Sequence, residues 1–579
     1  MNAATRISAS IERLRRGFGQ REPDEGTAEA PPRTRFRVSG LSLAALLIAL
    51  LIAAPIVGVL ASLTQPTSEV WDHLAATVLP RYLWNTLLLV TLVGIGAAAI
   101  GVGAAWLVTM HRFPGRAVFE WALALPLAFP AYVLAYAYTD LLDHPGLVQS
   151  TLRNVMGWGP RDYWFPEIRS LEGAAAMLTL VLYPYVYLLA RAAFLQQSSA
   201  VIDVARTLGV GPFAAFWRVA LPMARPAIVT GVALALMETL ADYGTVAHFG
   251  VQTFATGIYR AWFSMGDRIA AAQLSAAMLA FVLVLLALER SQRAAARFDE
   301  ARPRFGELPA GPLKGWRAAL AITLCGIPVL FGFLLPLLGL IGMSMVGGHA
   351  FFGPRYIGFA LNSFVLAGIA AAVAVGLAVV MAYAARLEPG RLSSTANLFA
   401  SVGYAIPGGV IAVGLLIPLA AFDNALDAWM RATFGVSTGL LLTGSIAVLV
   451  FAYVVRFMSI ALQTVEAALG KITPSMDHAA RSLGRTPAGA LREVHAPLMK
   501  GGLLTAALIV FVDVMKELPA TLILRPFDFD TLAIQAHRLA SDERLLQAST
   551  PSLAIVAVGL IPVLLLSREI ARARPGVRN

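Results

Sequence analysis

Four carboxylates inside long apolar segments are the residues of this sequence best suited to chemistry. Glu238 and Asp242 lie four residues apart in one segment, and Asp513 and Glu517 repeat that spacing in another. On a helix, this spacing places both acids of a pair on one face. Because charged side chains are costly inside a membrane, each pair indicates either a functional site or a structural ion pair.

The two interpretations of these acids are compatible, and the sequence leaves both open. As the lining of a central path, they form an anionic ring suited to a hard cation, with Tyr243 as a further oxygen ligand. As structural pairs, they have Lys516 and Arg456 as counter-ions. Gly244 and Pro519 each stand two residues beyond the second acid, which predicts a bend or break there. The candidate residues of the translocation path are Glu238, Asp242, Tyr243, Asp513, Lys516 and Glu517, and the four acids among them are the candidate metal ligands.

A duplicated loop precedes the two acid pairs. One copy reads Asp203-Val-Ala-Arg-Thr-Leu-Gly209, then nine residues, then Val219-Ala-Leu-Pro222. The other reads His478-Ala-Ala-Arg-Ser-Leu-Gly484, then nine residues, then Val494-His-Ala-Pro497. Small apolar residues predict a short helix with a docking face, glycine permits the left-handed turn that ends it, and the last proline is expected to redirect the chain. The candidate docking residues are Asp203, Ala205, Gly209, Pro222, His478, Ala479, Ala480, Gly484 and Pro497.

Long apolar runs must position these motifs. Of the 579 residues, 58% are hydrophobic and 14% are charged, and the mean hydropathy is +0.71. Runs of about 20 apolar residues are long enough to cross a bilayer as helices. The sequence predicts twelve such spans, at 41–64, 84–110, 119–139, 173–195, 226–247, 269–289, 318–345, 359–385, 396–420, 440–463, 501–524 and 550–567.

The repeated motifs divide the chain into two homologous halves of six spans. Both acids and the loop glycine recur at an offset of 275 residues, and the same offset relates Pro212 to Pro487. An even number of spans gives both halves the same orientation, related by an axis along the membrane normal. The predicted units are a cytoplasmic tail (1–40), half 1 (41–290, loop 201–224), a cytoplasmic linker (291–316), half 2 (317–567, loop 476–499) and a second cytoplasmic tail (568–579).

The distribution of charge assigns an orientation. The net charge is +11, and 32 of the 45 Lys and Arg residues fall in the tails and loops that are inside when the N-terminus is inside. This is the positive-inside pattern, so both termini are predicted to be cytoplasmic, and the basic residues are not a nucleic-acid surface. A tail of about 40 polar residues precedes the first span, which predicts no cleavable signal peptide.

The duplicated loop resembles the EAA loop of binding-protein-dependent ABC importer permeases, with Glu-Ala-Ala, three residues, Gly, nine residues and Ile-x-Leu-Pro. Both copies lack the leading Glu, for which Asp203 keeps the charge and His478 does not, and Asp477 is a candidate substitute. The resemblance implies an all-α integral membrane fold: twelve helices in two type I permease halves, in the bacterial inner membrane. It also implies two copies of a cytoplasmic ATPase and a periplasmic binding protein as partners.

Two further stretches are similar to ferric-iron importer permeases, namely Glu238–Val246 and Lys516–Ala533. This resemblance implies Fe(III) as cargo, moved from periplasm to cytoplasm by alternating access. The alternatives are another solute, such as thiamine or a polyamine, and an ion-coupled secondary transporter. An oxyanion suits four acids poorly, and the secondary transporter gives no reason for two such loops.

No nucleotide-binding motif accompanies these features. The nearest candidate for a phosphate-binding loop, Gly470-Lys471, has Val465 at the required first glycine and Ile472 where Ser or Thr belongs. The chain is therefore expected to be a transport subunit rather than an enzyme, without a cofactor of its own, and ATP-Mg is expected on the partner ATPase.

Overall fold

A computed structural model of the protein describes residues 40–66, 69–196, 214, 216–295, 311–347 and 353–572. Within these ranges, 11 helices are long and apolar enough to cross a membrane, or up to 12 if a bent pair, Arg116–Ala128 and Ala131–Met156, forms one span. The prediction of an all-α membrane protein is confirmed. We call the end of the bundle that carries residues 474–495 the inner end, following the predicted orientation.

The first half of the described chain contains eleven helices and a two-residue strand. In chain order they are α1 (Gly40–Ala61), α2 (Glu69–Thr77), α3 (Leu79–Met110), β1 (His111–Arg112), α4 (Arg116–Ala122), α5 (Ala131–Leu142), α6 (Leu147–Met156), α7 (Leu171–Gln196), α8 (Leu221–Ala241), α9 (Gly244–His248), α10 (Phe254–Tyr259) and α11 (Arg268–Ala295).

The second half repeats this order with small differences. Its elements are β2 (Gly311–Pro312), α12 (Trp316–Val329), α13 (Leu335–Gly347), α14 (Pro354–Leu387), α15 (Arg391–Ala400), α16 (Gly408–Phe434), α17 (Ile446–Leu469), α18 (Pro474–Ser482), α19 (Pro487–Ala490), α20 (Ala496–Lys516), α21 (Pro519–Leu524), α22 (Leu532–Ser541) and α23 (Leu545–Arg572). The last helix therefore runs into the predicted tail, 568–579.

Two predicted spans are interrupted. The predicted span 119–139 is bent by 92° between the 3-10 turn at Leu125–Ala128 and α5, and Pro130 caps α5 in an extended conformation. The predicted span 396–420 crosses a similar break, because α16 begins only after Pro407. Proline has no N–H to continue a helix but is well placed at the start of one, so both helices begin there.

The prolines of the duplicated loop do not end a helix, contrary to the prediction. Pro222 and Pro497 lie in the first turn of α8 and α20, and a π-helical turn precedes each: Phe216–Ala220 and Leu491–His495. The helix therefore continues through proline, because the wider turn accommodates the missing hydrogen bond.

The two halves are interleaved. Helix α1 packs against α14, α15 and α16, and α11 packs against α16, so two helices of the first half lie on the second. Reciprocally, α13 and α23 pack on α5 of the first half. In addition, β1 pairs in parallel with β2, with His111 opposite Gly311, so the residues just before α12 are tied to the inner end of α3.

Close glycine contact joins α1 to α16. A methyl group on Gly58 would overlap the carbonyl oxygen of Gly414, and a methyl group on Gly414 would overlap that of Pro55. Apolar side chains gain little by leaving lipid, so packing at small residues is what holds such helices together.

Replacing Gly414 by leucine is therefore expected to separate α1 from α16 and to lower the stability of the protein by about 1–3 kcal/mol or more, the usual cost of overpacking. The measurement is the melting temperature in detergent. Gly368→Leu on α14 is the control, because a Cβ there meets no atom within 4 Å. Equal melting temperatures for the two variants would contradict the assigned contact.

Candidate functional site

The spans that carry the acid pairs break at equivalent places. Helix α8 ends before Asp242 (φ −70°, ψ 124°) and Tyr243 (φ −109°, ψ −42°), and α9 follows. Helix α20 ends before Glu517 (φ −69°, ψ 121°) and Leu518 (φ −112°, ψ −49°), and α21 follows. The predicted interruption of both spans is confirmed, and its backbone geometry is nearly identical in the two halves.

The second acid of each pair caps the short helix beyond the break. Oδ1 of Asp242 accepts the backbone N–H of Thr245 at 3.0 Å, and Oδ2 accepts the hydroxyl of Thr245 at 2.9 Å. Glu517 accepts the backbone N–H groups of Ala520 at 2.9 Å and Thr521 at 3.1 Å, and the hydroxyl of Thr521 at 2.8 Å. Carboxylates at a helix N-terminus satisfy N–H groups that have no intrahelical acceptor.

This capping corrects the prediction that both acids of a pair share one helical face. Glu238 and Asp513 lie within α8 and α20, whereas Asp242 and Glu517 lie outside them, in extended backbone. A spacing of four residues indicates a helical turn, but each helix ends at the residue before the second acid. The threonine three or four residues after each second acid is the sequence signal that indicates a cap.

All six candidate path residues nevertheless line one cavity of about 140 Å³ at the junction of the two halves. The cavity contains four carboxylates and two cationic side chains, so carboxylates are in excess. Four tyrosines add hydroxyl-bearing rings to the wall. The charged and tyrosine lining residues are Glu238, Asp242, Asp513, Glu517, Arg456, Lys516, Tyr132, Tyr185, Tyr243 and Tyr404.

Arg456 lies between the two halves of this cavity. Its Nη2 is 3.8 Å from Oε2 of Glu238, its Nη1 is 3.8 Å from Oε1 of Glu517, and only 7% of the residue is exposed. Its Nε and Nη1 have no hydrogen-bond acceptor within the described part of the chain. Lys516 lies 3.6 Å from Asp513 and donates to the carbonyl of Leu127. The predicted counter-ions thus occupy the same cavity as the acids.

Contacts between the halves close the outer side of the cavity. The hydroxyl of Tyr136 on α5 lies 3.1 Å from Nδ1 of His537 on α22, whose ring packs edge-on against Tyr243. Further out, Arg169 donates two hydrogen bonds, at 2.7 and 2.8 Å, to Glu543. These bonds hold the pKa of the Glu543 carboxyl below its usual range.

The second copy of the duplicated loop lies at the inner end of the bundle. Helix α18 exposes His478 and Ala479 and buries Ala480. Gly484 ends it at φ +74°, and Arg485 donates its N–H to the carbonyl of Ala480, as in a Schellman motif. The predicted left-handed turn is confirmed there. Residues Asp203, Ala205 and Gly209 of the first copy lie outside the described ranges.

Asp477 faces the helix bundle. Its carboxylate lies 2.9 Å from Nη2 of Arg386, at the inner end of α14, and 2.6 Å from Nε2 of the buried His495. Arg386 also donates to the carbonyls of Leu469 and Ile472. Asp477 therefore anchors the loop rather than presenting the charge that a leading Glu would carry outward.

Sequence reasoning missed this anchor, because Arg386 and His495 are about 90 and 20 residues from Asp477 in the chain. It also missed Tyr404, which lies on the 3-10 turn Gly403–Ala405 and belongs to no repeated motif. Among the residues that the structure describes, no three His, Cys, Asp or Glu side chains form a group able to hold a metal ion.

Comparison with known proteins identifies relatives that cover most of the chain and others that cover about a third of it. Residues 97–297 match the family described as "Binding-protein-dependent transport system inner membrane component". The chain is 27% identical over 495 residues to the Fe(3+)-transport system permease protein FbpB 2 of Haemophilus influenzae, covering 84% of this chain and 89% of that protein.

Two further relatives differ in length and in the cargo that their names state. The ferric transport system permease protein FbpB of Actinobacillus pleuropneumoniae is 23% identical over 525 residues, which cover 85% of this chain and 72% of that protein. The molybdenum transport system permease protein ModB of Escherichia coli is 26% identical over 192 residues, covering 32% of this chain and 81% of that protein. The predicted resemblance to importer permeases is confirmed.

Proposed function

Since residues 97–297 match the family of binding-protein-dependent inner-membrane transport components, we propose that this ABC importer permease carries Fe(III) from the periplasm to the cytoplasm. The observation that carries the proposal is the cavity between the halves, where four carboxylates outnumber one arginine and one lysine. Similarity over most of the chain to two ferric permeases supports the same cargo.

In this proposal the four acids have two roles. Asp242 and Glu517 use their oxygens to cap α9 and α21, so they fix the shape of the wall. Among the described residues, Glu238 and Asp513 make only long ion pairs, at 3.8 and 3.6 Å, which leaves both carboxylates able to turn toward a passing cation. The negative charge of the cavity attracts the cation, and its mobile carboxylate oxygens make contacts that form and break. Such weak contacts favour passage of the cation over its retention.

We propose that transport alternates access to this cavity. Two copies of a cytoplasmic ATPase hold ATP-Mg, close on it and push the loops that contain Gly209 and Gly484, with both termini of the chain on the same side. A loaded periplasmic binding protein docks on the outer loops, around 248–268 and 525–548. The halves then rock, so that the contacts of Tyr136 and Arg169 with the second half separate and the outer side opens.

The test of this function is uptake of radiolabelled Fe(III) by the reconstituted complex, with thiamine and spermidine as competitors. We expect ATP-dependent uptake that neither competitor reduces. Uptake that continues without ATP while a proton gradient is kept would favour an ion-coupled transporter. Competition by thiamine or spermidine would overturn the iron assignment and leave the importer class in place.

Neutralising Glu238 and Asp513 together, as Glu238→Gln and Asp513→Asn, is expected to reduce Fe(III) uptake by about tenfold or more, the effect of losing about 1.4 kcal/mol of interaction at the path. The helix caps at Asp242 and Glu517 remain, so the complex should assemble. Glu69→Gln with Asp72→Asn on α2 removes the same charge away from the cavity and serves as the control. Normal uptake in the cavity variant would exclude an essential role for these two acids.

A further inference from the structure

A second cavity, of about 410 Å³, lies at the outer end of the second half, where α14, α22 and α23 meet. Its wall carries three guanidinium groups and only one carboxylate. The residues that matter to its chemistry are Arg355, Tyr356, Phe359, Arg538, Asp542 and Arg544, and we call this cavity the arginine pocket.

Two helix N-termini add positive potential to the arginine pocket. Helix α14 begins at Pro354, just after Gly353 in the wall, and α23 begins immediately after Arg544. The first turn of a helix presents N–H groups without acceptors and a partial positive charge. Both helices are long, at 34 and 28 residues, so the dipole of each is fully developed. The pocket is built for a negatively charged group.

Two of the three guanidinium groups are available to such a group. Arg538 already contacts Asp530 at 3.3 Å and donates to Gln535 at 2.7 Å. Within the described ranges, Arg355 and Arg544 lie more than 4 Å from any carboxylate oxygen. A guanidinium group binds a carboxylate through two parallel hydrogen bonds. The two guanidinium groups of Arg355 and Arg544 can therefore bind two carboxylates, or share a single one.

The arginine pocket lies on the side of α14 that faces away from its exposed apolar side chains. Helical geometry places Arg355, Tyr356 and Phe359 on one side of α14. The opposite side of the helix carries exposed apolar side chains, which include Ile357 and Leu361, 42% and 59% exposed. The position of the pocket away from the apolar face of α14 favours an anion from a soluble protein over one from a lipid.

The pocket also lies on the side of the membrane opposite the ATPase-facing loop. At the other end of the same helix, Arg386 holds Asp477 of that loop, and Tyr383 donates to the carbonyl of Pro487. A helix of 34 residues is about 51 Å long, which exceeds the thickness of the bilayer core.

The first half lacks one of the three arginines. Asn85 donates to the carbonyl of Gln252, and Asn362 donates to that of Asp530, so these asparagines occupy equivalent positions, 277 residues apart. That offset aligns Arg355 with Val78. Arg544 has an equivalent in Arg268, which begins α11 as Arg544 precedes α23.

We propose that the arginine pocket receives carboxylate side chains from one lobe of the periplasmic binding protein. Because the two halves of the permease are unequal, this contact determines the orientation in which the binding protein docks on them. The inference rests on the proposed function, which supplies the partner. It goes further by naming the half, the residues and the chemistry of the contact.

The test is direct binding between the complete transporter in nanodiscs and the cargo-loaded periplasmic binding protein that supports uptake by it. Arg355→Ala with Arg544→Ala is expected to raise the Kd by about tenfold to a hundredfold, about 1.4–2.7 kcal/mol, and to flatten its dependence on salt. Arg81→Ala with Arg161→Ala removes two exposed outer arginines of the first half that lie outside the proposed docking loops, and is expected to change the Kd less than about threefold. Arg355→Lys with Arg544→Lys should restore part of the affinity, and melting temperatures check that each variant is folded.

If the alanine pair binds with unchanged affinity while the unmodified transporter binds normally, the docking role of the arginine pocket is refuted and the proposed function is unaffected. An equal loss in the first-half pair would overturn its restriction to the second half. If the unmodified transporter does not bind the loaded protein, the proposed function fails together with this inference.

Discussion

Replacement of Arg456 by methionine is expected to lower the free energy of unfolding of the permease by about 3–5 kcal/mol, because it leaves the buried carboxylate of Glu517 and the half-buried carboxylate of Glu238 without their shared cation. Arg456 is 7% exposed and lies 3.8 Å from both Glu238 and Glu517. Methionine keeps the volume of the arginine stem and removes the charge. The measurement is unfolding in detergent, followed by circular dichroism.

A double variant separates lost charge from lost packing. Arg456→Met with Glu238→Gln removes a charge from each half and should recover part of the loss, whereas a packing defect would not recover. The control is Arg431→Met, because Arg431 contacts Asp427 with a side chain that is 62% exposed and such pairs contribute little. If Arg456→Met and Arg431→Met unfold alike, Arg456 is not the shared counter-ion of the cavity.

Replacement of Gly484 by valine is expected to weaken the association of the permease with the proposed partner ATPase about 5- to 30-fold and to reduce uptake accordingly. Gly484 has φ +74°, a conformation that costs an L-residue about 1–2 kcal/mol. A cost of that size lowers the population of the loop in its docking conformation about 5- to 30-fold. Space is not the cause, because a Cβ at Gly484 meets no atom within 4 Å. The measurements are the affinity for the purified ATPase and the stimulation of ATP hydrolysis by the binding protein.

Gly435 provides a control with matched strain. It ends α16 at φ +67°, where a Cβ likewise meets no atom within 4 Å, and it lies at the outer end of the bundle. Gly435→Val should therefore cost similar stability without weakening ATPase association. Full association and uptake by Gly484→Val would remove the coupling role from this loop.

The repeated spacing in the sequence is sufficient to predict which residues meet. Both acid pairs, Tyr243 and Lys516 line one cavity, and both spans break at the predicted places. These features are local or repeat at a constant offset, so they are visible in the chain itself. The left-handed turn at Gly484 is equally local, since only glycine adopts that conformation readily.

What the sequence could not predict depends on contacts between distant segments or on competition between alternative hydrogen bonds. The spacing of Asp242 from Glu238 is helical. In the folded chain, however, the Asp242 carboxylate accepts hydrogen bonds from Thr245, and these bonds replace a further turn of α8. Pro497 reads as the end of a segment, but a π-helical turn carries the helix through it. The sequence makes Asp477 a candidate for an outward charge, and only the folded chain brings Arg386 and His495 to it.

The interleaving of the halves sets an order for biogenesis. Helix α1 is complete at Ala61, but α16, on which its glycine rests, ends at Phe434, about 370 residues later. At about 5–20 residues per second, α1 waits about 20–70 s in the bilayer before its partner is synthesised. In a nascent first half, the small-residue face of α1 is therefore unpacked and accessible to other helices. Synthesis of both halves as one polypeptide supplies the missing partner in cis, at a fixed ratio and a high effective concentration.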